Sequence, residues 1–159
     1  MPAVVAGAVA ALRGLVVLCL LVLAAGCEPS DGPYVEVSGG GFQFNYRLSE
    51  ATYTMVATSR RTIPEGTVFV AEFEDPAGGE PLRVQAVSTA GQKRIAIQSP
   101  PVRGVQEDVP YKVVLTLSAP DGSLIETHEK SYTSKIGSDV LPEQPPTIGP
   151  GYTKNPAAR

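Results

Sequence analysis

The sequence predicts an all-β protein: a single antiparallel sandwich of about seven to eight strands. Three observations predict it. Between residues 34 and 136, apolar and polar side chains alternate with period two, the mark of strands with one buried face. Turn residues punctuate that region at Gly39-Gly40-Gly41, Pro64-Glu65-Gly66 and Pro76-Ala77-Gly78-Gly79. No window within it carries the apolar stripe of a surface helix. Short strands between Gly/Pro turns bury their apolar faces by packing as two sheets or closing as a barrel.

The first strand is predicted over residues 34–37, and Val35 is taken there as an edge position. The glycine run that follows reads as a hinge or bulge. Residues 42–48 alternate most clearly. Phe42, Phe44, Tyr46 and Leu48 point one way; Gln43, Asn45 and Arg47 point the other. Residues 52–58 are rich in threonine and β-branched side chains that suit a pleated surface. Residues 67–74 set Phe69, Ala71 and Phe73 opposite Glu72 and Glu74. Residues 82–88 and 92–98 flank Thr89-Ala90-Gly91 and predict a hairpin. Residues 111–118 put Tyr111, Val113, Leu115 and Leu117 on one face. Ala119-Pro120-Asp121-Gly122 is a strong turn, and residues 124–131 return from it.

These last two strands resemble the closing hairpin of an immunoglobulin-like or fibronectin-type-III-like sandwich. The resemblance implies a tyrosine corner at Tyr111. Thr62-Ile63-Pro64-Glu65-Gly66-Thr67-Val68 also resembles a strand entry in small secreted bacterial β-sandwich lipoproteins. Together the resemblances span roughly residues 61–127. They imply a fold and carry little about function.

The two flanks differ from the centre. Residues 14–23 form an apolar run with Arg13 before it, which is the layout of an export signal. Small residues follow, and then a cysteine: Leu23-Ala24-Ala25-Gly26-Cys27. This resembles the lipobox of bacterial lipoproteins, with Leu23 one place earlier than the commonest arrangement. The resemblance implies cleavage before Cys27 and diacylglycerol on its sulfur. The alternative is an uncleaved anchor. Residues 14–26 are too few for the roughly 20 that span a bilayer. Extending the span backward puts Arg13 in the membrane, at about 2.5–3.5 kcal/mol.

The expected organisation is therefore a signal peptide over 1–26, an acylated tether over 27–33, the sandwich over 34–136 and a disordered tail over 137–159. The tail holds five prolines and three glycines, which rule out a regular helix or a central strand. The chain has two cysteines, Cys19 and Cys27. Cleavage removes the first, so the sandwich is expected to lack a disulfide. Two or more acyl chains hold a protein stably on a membrane, so the domain needs no membrane-binding face of its own. The expected location is the cell envelope. Glu28 after the cysteine favours the outer membrane, facing the periplasm.

The formal charge is −3, and cleavage takes Arg13 with it. An acidic chain attracts neither nucleic acid nor an anionic surface. His128 is the only histidine. It lies among polar residues and reads as a solvent-facing strand position. No Gly-x-Ser-x-Gly elbow surrounds any serine. Glu72, Glu74 and Asp75 form the densest acidic cluster and read as a solvated face that discourages edge pairing. Arg60, Arg61, Arg83, Lys93, Arg94 and Arg103 read as scattered surface charge. Phe42, Phe44, Tyr46, Tyr53, Phe69 and Phe73 read as core, in preference to a carbohydrate platform.

No catalytic, cofactor-binding or metal-binding residue is predicted; the one site is the lipidation site, Cys27. The expected function is a non-enzymatic envelope lipoprotein that binds or scaffolds. Its expected partners are the membrane, through the acyl chains, and an envelope protein met through a sheet edge or loops. The alternatives are an envelope hydrolase, or an inhibitor or accessory protein of a secretion or protease system.

Overall fold

The computed structural model describes residues 32–158, so the export segment and Cys27 lie outside the described residues. Seven strands build the sandwich: β1 (Val35–Asn45), β2 (Glu50–Ser59), β3 (Val68–Phe73), β4 (Leu82–Val87), β5 (Arg94–Gln98), β6 (Tyr111–Ser118) and β7 (Leu124–Tyr132). One sheet has the order β1-β2-β5, and the other β4-β3-β6-β7. Every strand pairing is antiparallel. Three strands facing four is an immunoglobulin-like sandwich, as the period-two pattern predicts. Two further short strands, β8 (Thr147–Ile148) and β9 (Thr153–Lys154), pair with each other.

The core sits between the sheets. Tyr53 and Met55 of β2 meet Phe69 and Phe73 of β3 and Leu115 and Leu117 of β6, all fully buried. Phe42 stacks on Tyr53 with ring centroids 4.5 Å apart, and Phe73 meets Tyr53 edge-on at 4.9 Å. Such pairs add about 0.5–1.5 kcal/mol beyond their buried area. The Tyr111 hydroxyl accepts the Gln106 N–H at 2.9 Å and also faces the Gly104 carbonyl. That upstream tie is what a tyrosine corner does.

Two strand boundaries differ from expectation. The segments predicted at 34–37 and 42–48 are one strand, β1, with a register shift between Val37 and Gly39. The glycine run keeps the ladder and bends it. Gly40 has φ +142, and a Cβ there would lie 2.2 Å from the Thr54 carbonyl and 2.6 Å from the Tyr132 ring. The missing side chain lets Tyr132 cross from β7 and donate its hydroxyl to Gly39 O at 2.9 Å. Residues 82–98 are also not a hairpin. The turn at Thr89–Gln92 forms, but β4 pairs with β3 and β5 pairs with β2. The connection crosses from one sheet to the other.

The segment after Ile136, expected as a disordered tail, carries a 3-10 turn at Ser138–Val140 and the β8–β9 pair. Ser138 N–H donates to Val105 O at 2.7 Å, and Leu141 packs on the core. Farther on, Thr147 N–H donates to Arg47 O at 3.0 Å.

Candidate functional site

β7 is the edge of the larger sheet, and its inner side meets the start of β1. Register places His128 opposite Leu115 and Glu126 opposite Leu117, so both point toward the inside of the sandwich. The His128 side chain is 21% exposed, not solvent-facing as the polar sequence around it suggests. The reason lies in what faces it. The Glu126 carboxylate accepts the backbone N–H groups of Tyr34 and Val35 at 2.8 and 2.9 Å. His128 Nε2 sits 3.0 Å from the same carboxylate. Polar side chains are tolerated at this seam because β1 begins there and its first N–H groups need an acceptor. Val35 itself is fully buried. A charge placed at Val35 would therefore test folding and not edge docking.

The acidic cluster is engaged locally. Glu72 pairs with Arg83 at 4.0 Å across β3 and β4. Glu74 accepts the Lys112 backbone N–H at 2.8 Å, and Asp75 accepts that of Ala77 at 2.9 Å. Among the described residues, no group of three or more His, Cys, Asp or Glu is arranged to hold a metal ion. The basic residues divide. Arg60, Arg61, Lys93 and Arg94 gather at one end of the smaller sheet, where Ser59 N–H donates to Lys93 O. Arg60 pairs with Glu36, and Arg61 lies 4.3 Å from the Tyr34 ring centre. Arg83 is on the other sheet.

The aromatics divide as well. Tyr53, Phe69 and Phe73 are core, and Phe42 and Phe44 pack against it. Tyr46 departs from expectation: it is 51% exposed, in the turn between β1 and β2. It borders a cavity of about 550 Å³ on the outer face of the smaller sheet, lined also by Gln43, Asn45, Arg47, Thr52 and Gln98. Tyr152, 43% exposed in the β8–β9 turn, stands beside it, with the Arg47 guanidinium 5.5 Å from its ring centre. A larger hollow of about 620 Å³, between Pro142–Gln144 and Ala157–Ala158, offers, among the described residues, a single ionisable side chain, Glu143.

The sequence assigned Gln43 and Asn45 to a polar face, and the structure agrees. It did not bring Gln98 or Tyr152 to them, because both arrive from distant segments. Alternation alone marks which face a side chain takes, not which strand lies next to it.

No family model matches the chain, and no curated protein matches it. Among solved structures, it is similar to the crystal structure of an endonuclease/exonuclease/phosphatase from Beutenbergia cavernae DSM 12333, at 11% identity and a TM-score of 0.30. The match covers 62% of this chain and 35% of that one. A likeness of that size carries no argument about chemistry. Among the described residues, no helix is long and apolar enough to cross a membrane.

Proposed function

We propose that the protein is a lipid-anchored module of the bacterial envelope that acts by binding or scaffolding, without catalysis. The anchor is the diacylglyceryl group on Cys27, and the domain stands on the periplasmic side of the outer membrane. The observation that carries the anchor is the run of small residues ending in Cys27, directly after the apolar segment. What supports the non-catalytic part is the use to which the one imidazole is put. His128 contacts Glu126, whose carboxylate is occupied by the backbone N–H groups of Tyr34 and Val35 at the start of β1. A general base needs a free acceptor and a nucleophile within about 3 Å. Among the described residues, no hydroxyl or thiol is hydrogen-bonded to His128: Glu126 is its one hydrogen-bond partner.

The test is Cys27→Ala in cells fed a clickable palmitate analogue. The expected outcome is complete loss of label and accumulation of uncleaved precursor in the membrane fraction. A Cys27→Ala chain that is labelled and matured like wild type would sink the anchor.

A further inference from the structure

We propose that the outer face of the β1-β2-β5 sheet, beside the β1–β2 turn, binds a neutral glycan chain. This names a ligand class for the binding function above and rests on that reading.

Strand register brings the polar groups together. Gln43 lies opposite Thr52, Asn45 opposite Glu50, and Gln98 opposite Thr54. All of them therefore share the outer face, and the cavity they line is of small-ligand size. The amides are fixed before any ligand arrives. Gln98 Nε2 donates to Thr52 Oγ1 at 2.7 Å and to Gln43 Oε1 at 3.3 Å. That leaves Gln98 Oε1 as an acceptor and the Gln43 amide N–H groups as donors, unpaired among the described residues. Asn45 Oδ1 is held by the N–H groups of Arg47 and Leu48, and its Nδ2 reaches Tyr152 Oη at 3.4 Å. The Glu50 carboxylate forms no ion pair or hydrogen bond among the described residues.

The chemistry selects the ligand. Vicinal hydroxyls each donate and accept, so they match a fixed array of amide donors, amide acceptors and a carboxylate. The C–H face of a sugar ring matches a half-exposed tyrosine ring, and Tyr46 supplies one at the rim. Tyr152 supplies a second beside it. Its backbone has φ +51, uncommon for an aromatic residue, and its ring lies against Arg47. A nucleic acid would need a cluster of cations, and the lining of this cavity holds one, Arg47, together with the anionic Glu50. An added peptide strand would use a backbone edge, whereas these groups are side chains projecting from a sheet face. The place also fits a tethered receptor. β1 runs 11 residues from the tether end, which sets the site about 30 Å from Tyr34.

The experiment is calorimetric titration of the full chain in detergent micelles. The probes are hexasaccharides of β-1,4-glucose and of β-1,4-N-acetylglucosamine, with hexagalacturonate as the charged control. The proposal expects saturable binding of at least one neutral hexamer and none of the charged one. Tyr46→Ala and Gln98→Ala should each weaken that binding about tenfold or more. Their thermal midpoints should stay at the wild-type value, and Arg83→Ala on the opposite sheet should bind normally. Failure of both neutral hexamers to bind, or wild-type affinity in both variants, overturns it. So does a photo-crosslinker at position 43 that captures an envelope protein in place of glycan; that result leaves the binding-module reading standing. Lipid labelling at Cys27 is independent of all these outcomes.

Discussion

One carboxylate sets where the sandwich begins. Glu126 accepts the backbone N–H groups of Tyr34 and Val35, 92 and 91 residues away, and its side chain is only 15% exposed. A hydrogen bond to a charged group contributes about 1.5–3 kcal/mol, and orphaned buried N–H groups are costly. Glu126→Ala is therefore expected to lower unfolding stability by about 2–3 kcal/mol. His128→Ala removes one contact from a carboxylate that keeps both backbone donors, so its cost should stay near or below about 1 kcal/mol. Urea unfolding of the two variants measures this. Equal losses, or a larger loss at His128, would mean that the imidazole and not the carboxylate holds β1. None of this was legible in the sequence around residues 124–131. With Ile125 the one apolar residue between Leu124 and Tyr132, the pattern there fixes no inner face. The register shift between Leu117 and Ser118 then turns Glu126 and His128 inward.

At the scale of elements, alternation, β-branched composition and turn residues together located the sandwich strands, with β7 marked by the turn before it and not by an apolar face. It failed where pairing had to be inferred. Leu82, Val84 and Ala86 of β4 and Ile95 and Ile97 of β5 all face the core, yet from opposite sheets. A local turn between two alternating segments looks the same in a hairpin and in a crossover. Composition was an equally blunt guide to the segment after Ile136. Proline and glycine exclude a helix there, but they do not exclude docking. Ser138 exchanges two hydrogen bonds with Val105, one through its backbone and one through its hydroxyl, and Leu141 covers core side chains. Beyond Pro142 the contacts are fewer and more exposed, chiefly Thr147 to Arg47. Ending the chain after Pro142 is expected to cost less than about 1 kcal/mol. Ending it before Gly137 should cost about 2–3 kcal/mol, from the lost Ser138 bonds and the uncovered apolar surface. Equal urea midpoints for the two truncations would show that the 3-10 turn is not part of the folded unit.

Across the whole molecule, two tyrosines tie the sheets together through hydroxyls buried between them. The Tyr53 hydroxyl donates to the Glu74 carbonyl, and the Tyr132 hydroxyl to that of Gly39. Burial pushes both phenols above their ordinary range, and for Tyr53 the nearby Glu74 charge pushes further in the same direction. The folded protein thus holds these protons more tightly than the unfolded chain does. Below the ordinary phenol value of about 10, both states are protonated and the full stabilisation is present. As pH rises through that value the unfolded chain ionises first, so stability must fall. Lys135 is also raised, by its contact with Asp108, and acts in the same direction. That pair is solvent-exposed, so its share is small. The expected result is a urea midpoint that is level from about pH 7 to 9 and drops steadily above about pH 10. A Tyr53→Phe/Tyr132→Phe chain should start lower, because two carbonyls lose their donors. Its decline above pH 10 should be much shallower. Parallel declines in the two proteins would place the alkaline sensitivity outside the sandwich interior.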